Sequence, residues 1–105
     1  MSFNLYWRNN DGIGGHVWLS LSDMVALREE MLEQGMAVET GHNATGIPGA
    51  KLLPSQPETI TEEEIAAALE VASPKPRTLV GYSLWRDWLE FLEGARRNGG
   101  LLIRP

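Results

Sequence analysis

Cysteine is absent from the 105-residue chain. That excludes disulfides, a thiolate metal site and a cysteine nucleophile. No apolar run approaches the ~20 residues that span a bilayer, and no basic segment followed by an apolar stretch opens the chain. We therefore expect a cytoplasmic protein without a membrane partner. Basic charge is also scarce, with nine Lys and Arg against fourteen Asp and Glu, a formal net charge of −5. Nucleic-acid binding needs a clustered basic face, so no nucleic-acid partner is expected, although Arg96, Arg97 and Arg104 mark where one would bind. Histidine occurs only at His16 and His42.

The charge is divided unevenly. Residues 1–73 carry three bases against eleven acids, and residues 74–105 carry six bases against three acids. Either the two parts fold together so that their charges meet, or the molecule offers an acidic face to a basic partner. Arginine outnumbers lysine seven to two, which suits a GC-rich bacterial genome. The length and apolar content fit one globular domain spanning 1–105.

Phe3 to Arg8 alternates apolar and polar residues, the pattern of a half-buried strand. Asn9-Asn10-Asp11-Gly12, extended by Gly14 and Gly15, reads as a turn. His16 to Leu21 alternates again. With a loop over 9–15, Arg8 faces His16, Tyr6 faces Trp18, and Trp7, Leu5 and Phe3 meet Val17, Leu19 and Leu21. A slip by one residue would turn one apolar set to the wrong side.

Ser20 or Ser22 can cap the following helix, with Asp23 near its positive end. Met24, Val25, Leu27, Met31 and Leu32 form its apolar stripe. Arg28, Glu29, Glu30 and Glu33 are assigned to water. Gly35 ends the helix. Residues 36–58, with Pro48, Pro54 and Pro57, read as a long irregular loop, pinned by Ile47, Leu52 and Leu53. Thr61-Glu62-Glu63-Glu64 is a capping box flanked by an Ile60–Ile65 staple, and its helix runs to about Ala72 before Pro74 and Pro76 stop it. Ser83 is the expected cap of a last helix over 84–98, with Trp85, Trp88, Leu89, Leu92 and Ala95 inward and Phe91 beside them. Leu101–Arg104 adds a strand. The expected fold is α+β: a small antiparallel or mixed sheet, made of the N-terminal hairpin and a C-terminal strand, with about three helices on one face.

No catalytic unit emerges. Glu39-x-x-His42 imitates a di-iron ligand pair, but Gly41 argues against the helix that pair needs. Gly41 to Gly46 is spaced like a P-loop, yet Ile47 and Pro48 replace the essential Lys and Ser/Thr. Gly12-x-Gly14 lacks the third glycine of a dinucleotide fingerprint. Asn43-Ala44-Thr45 fits a glycosylation sequon, and Pro54-Ser55-Gln56-Pro57 has PxxP form. We expect no catalytic residue, no metal and no cofactor.

Of four tryptophans, Trp7, Trp85 and Trp88 are assigned to the core, and Trp18 is not. With Tyr6, Arg8 and His16 it forms an aromatic and cationic patch on the sheet face away from the first helix. Such residues are enriched at binding hot spots. The leading expectation is a non-enzymatic protein-interaction module that binds another protein or itself, including the form in which an acidic protein neutralises a partner, as an immunity protein does. The alternative is a small-molecule-binding protein or enzyme with its site under the 36–58 loop near His42.

Overall fold

A computed structural model describes residues 2–9, 15–39 and 46–105. His42, the sequon at 43–45 and the turn glycines Gly12 and Gly14 lie outside the described residues. The chain is α+β. Strands β1 (Ser2–Trp7) and β2 (His16–Ser20) lead into helix α1 (Leu21–Gln34). Two short strands, β3 (Ala37–Val38) and β4 (Ile47–Pro48), pair in parallel, and a 3₁₀ turn (Gly49–Leu52) follows. Then come β5 (Glu58–Ile60), α2 (Glu62–Val71), α3 (Tyr82–Arg97) and β6 (Leu101–Arg104). The main sheet has four antiparallel strands in the order β2-β1-β6-β5. No helix among the described residues is long and apolar enough to cross a membrane.

The hairpin register differs from expectation by two residues. Tyr6 faces His16, Asn4 faces Trp18, Leu5 faces Val17 and Phe3 faces Leu19. An even slip keeps every side chain on its expected face. The reason lies beyond the hairpin. Trp7 N–H bonds the Gly15 carbonyl at 2.8 Å, while Arg8 and Asn9 turn to the other neighbour and donate to the Gly100 and Asn98 carbonyls. The first strand therefore yields its last residues to the end of α3, and the turn starts sooner. Leu21, expected inward, instead opens α1 and is exposed.

Within the region read as a loop, Ile47 and Leu52 are fully buried and Leu53 packs on the core. Lys51 Nζ donates to the Thr59 carbonyl at 2.8 Å and to Glu64 Oε1 at 2.9 Å, tying the 3₁₀ turn to β5 and α2. Glu58–Ile60, taken as part of the loop and the staple, is instead an edge strand paired to β6. The Thr61–Glu64 capping box forms in both directions. Ser20 caps α1. Helix α3 starts at Tyr82, two residues before the expected start. Its N-cap is Gly81, not Ser83, and no side chain caps it.

Met24, Leu27 and Met31 from α1, Ile65 and Ala68 from α2, and Trp85, Trp88, Leu92 and Ala95 from α3 cover Phe3, Leu5, Ile103 and Leu101 on the inner sheet face. Trp7 packs its ring against Gly94 and donates from Nε1 to the Phe91 carbonyl at 3.0 Å. A Cβ at residue 94 would overlap that ring.

Glu30 corrects the reading of α1. It was assigned to water and is 0% exposed. Its carboxylate accepts the Arg77 N–H at 2.9 Å, the Thr78 N–H at 2.7 Å, the Thr78 hydroxyl at 2.6 Å and Gln34 Nε2 at 2.7 Å. Burial pushes the carboxyl up. The Thr78 hydroxyl, the Arg77 amide, Gln34 and the Thr78 amide together outweigh it and hold Glu30 below the ordinary glutamate value. One turn on, Gln34 Oε1 accepts the Ser73 N–H at 2.7 Å. Arg28, also assigned to water, reaches the Gly49 carbonyl and Glu39.

Two outcomes test this packing. Gly94→Ala should lower stability by about 1–3 kcal/mol although alanine favours helix by ~1 kcal/mol; denaturant melts would show it, and a gain would refute the Trp7 contact. Because Glu30 has a depressed pKa in the folded state, its contribution is full above the unfolded value and is lost as pH falls through the folded one. Melts between about pH 6 and pH 3 should therefore show a steeper loss in wild type than in Glu30→Gln, which itself should be less stable at neutral pH.

Candidate functional site

The four-stranded sheet is covered on one face and open on the other. By strand alternation the open face carries Asn4 and Tyr6 from β1, His16, Trp18 and Ser20 from β2, Leu102 and Arg104 from β6, and Thr59 from β5. The pairing sets them in rows. Thr59, Leu102, Tyr6 and His16 form one row across the sheet, and Arg104, Asn4 and Trp18 form the next.

Tyr6 and His16 stack, with ring centroids 4.5 Å apart and planes 9° from parallel. His16 Nε2 lies 3.1 Å from Asn4 Oδ1 and donates to it. The imidazole is thereby held on two sides. It is a fixed element of the surface, and among the described residues no carboxylate pairs with it to make it a general base. Trp18 is 58% exposed, in contrast to the fully buried Trp85 and the nearly buried Trp88. Arg8 lies just past the end of β1 and is exposed. Structure thus brings Tyr6, His16 and Trp18 together but changes their neighbours. Tyr6, not Arg8, is opposite His16, and Asn4, not Tyr6, is opposite Trp18. Sequence reasoning missed Leu102, Arg104 and Thr59 on the same face. The alternation of Leu101 to Arg104 carried the signal for two of them.

Charge on this face departs from that of the chain. Among the described residues its ionised group is Arg104, with the exposed Arg8 just past the end of β1, on a protein of net charge −5. The described acidic groups lie elsewhere, and several are spent internally. Glu30 holds the 77–78 backbone, Glu64 holds Lys51, and Glu62 accepts the Gly99 N–H at 2.9 Å. Glu29, Glu33, Glu63 and Glu70 remain exposed on α1 and α2. Glu93 lies under the Arg96 hydrogen bond, which holds its carboxyl below the usual range. Arg96 and Arg97 both pair with it, so their charge is partly neutralised by their own helix.

Two concavities among the described residues are lined by none of the open-face side chains. One, of about 360 Å³, lies along α3 and is lined by Pro74, Tyr82, Ser83, Arg86, Leu89 and Glu90. Val71, Leu79 and Tyr82 are exposed in the same stretch of chain. Ser83 is its aliphatic hydroxyl, and no imidazole is among the lining residues, so it lacks the base that activates a serine nucleophile. The other, of about 40 Å³, is apolar and lies under β2 between α1 and α3. Neither is lined by a residue of the 36–58 segment.

No protein-family model matches the chain, and no curated protein and no solved structure matches it.

The openness of the face has a direct optical test. Trp18→Phe should remove the largest share of the iodide-quenchable tryptophan emission, since Trp85 and Trp88 are shielded and Trp7 is half-buried. Quenching left undiminished by the substitution would mean that Trp18 is covered in solution.

Proposed function

We propose that this protein is a non-enzymatic protein–protein interaction module, acting in the cytoplasm through the open face of its sheet. The observation that carries the reading is the exposure of Trp18 beside the Tyr6–His16 stack, on a face that no described helix covers. A large ring left in water is a standing source of binding free energy, at about 25 cal/mol per Å² of apolar area removed from water. Tryptophan, tyrosine and arginine are the side chains that dominate interface energetics, and Tyr6, Arg8, Trp18 and Arg104 are of these types. His16 is already fixed by Tyr6 and Asn4. A surface ordered in advance loses less conformational entropy on binding.

The test compares wild type with Trp18→Ala as immobilised baits in the same extract, followed by affinity measurement on whatever the wild type captures. Truncation should weaken binding at least roughly tenfold, the effect of removing a hot-spot aromatic. Equal affinity would take Trp18 out of the interface and the reading with it.

A further inference from the structure

Strand β2 ends the sheet on one side. Trp7 donates to the Gly15 carbonyl, and bonded and non-bonded pairs alternate along an antiparallel ladder. Val17 and Leu19 therefore turn their backbone groups to β1, and His16, Trp18 and Ser20 turn theirs away from the sheet. The opposite edge is protected. β5 has three residues, begins with Glu58 and follows Pro57, and shortness, charge and proline are the devices that keep an edge from recruiting another strand. β2 has none of them. It has five residues, His-Val-Trp-Leu-Ser, with no acid, lysine or proline, and its register with β1 contains no bulge.

We infer that the β2 edge takes a second copy of this chain, added antiparallel so that Trp18 lies opposite the Trp18 of that copy. This rests on the reading of the protein as an interaction module and names its partner. A two-fold axis through an antiparallel strand pair requires one residue to face itself. Only a residue whose backbone points outward forms a hydrogen-bonded self-pair. Trp18 meets that condition and is the middle residue of the strand, so centring on it pairs all five residues. His16 then meets the second copy's Ser20, and Val17 meets its Leu19. Polar groups stay on the open face and apolar groups on the inner one.

The inner pair also has a seat. The 40 Å³ notch beneath the edge is walled by Val17, Leu19, Leu27, Leu84, Trp88 and Phe91, and the second copy's Val17 and Leu19 close it. Asp87 also lines it, with Arg86 beside it at 3.6 Å. Two chains of charge −5 repel, so self-association favours a surface poor in acids; β2 itself carries none, and Asp87 at the notch beneath it has Arg86 beside it. The open faces join into one continuous sheet with the two Trp18 rings at its centre.

The experiment is light scattering behind size exclusion from micromolar to millimolar wild-type protein, with amide exchange followed by NMR at both ends of the range. The expected result is a doubled mass and roughly tenfold slower exchange at His16, Trp18 and Ser20 in the concentrated sample, with Thr59 unchanged on the other edge. Trp18→Lys should move the midpoint of association upward at least roughly tenfold, with an unchanged circular dichroism spectrum. If that variant fails to fold, the wild-type exchange decides alone. A monomer at every concentration overturns the proposal, and the capture assay with Trp18→Ala then judges the interaction reading by itself. A dimer whose His16 and Trp18 amides exchange at a concentration-independent rate also overturns it, because self-association would then use the open face and not the edge.

Discussion

The carboxylate of Glu30 holds together what the sequence leaves open between α2 and α3. That connection contains Pro74 and Pro76, which carry no N–H and cannot join a helix or a ladder. Its remaining donors need acceptors. Glu30 takes those of Arg77 and Thr78, and Gln34, one turn further along α1, takes that of Ser73. Trp85 closes the far side by donating from Nε1 to the Ser73 carbonyl at 2.8 Å. A buried charge is costly unless its lone pairs are filled. Here they are filled by the strap and by Gln34 of α1, and among the described residues no buried side-chain nitrogen or oxygen lacks a partner. All three helices are thus referred to one side of α1.

This clasp also shows where sequence reading stops. Glu30 stands three residues after Leu27 and four before Gln34, so helical period alone puts it on the inward face. Residue type put it in water. The two signals conflicted, and only knowledge of the strap's unsatisfied amides could decide for period. Elements with a local cause were legible: the Thr61–Glu64 box, the Gly35 stop with φ of 79°, the alternation of β1 and β2, and the tryptophan stripe of α3. Elements caused by distant chain were not. Glu58–Ile60 is a strand because β6 arrives beside it, and the hairpin register follows from bonds to Asn98 and Gly100. Of the candidate site, the shared face of Tyr6, His16 and Trp18 was legible from strand alternation. Their neighbours were not, since neighbours depend on register.

The two faces of the sheet divide the labour of the molecule. The inner face, with Phe3, Leu5, Leu101 and Ile103, is sealed by helices. The outer face keeps its aromatic groups in place by local contacts alone, Tyr6 against His16 and His16 to Asn4. Its organisation therefore costs the core nothing, and side chains there can change without disturbing the helices.

The strand order has a consequence for how the chain comes together. The two central strands, β1 and β6, belong to opposite ends of the described chain, and the Trp7–Phe91 bond joins residues 84 apart in sequence. The hairpin can form early, because its contacts are local, but until β6 arrives it is a two-stranded ribbon with both edges bare. The arrival of residues 101–104 is thus the event that converts a two-stranded ribbon into the four-stranded sheet, and contacts that span so much chain close slowly.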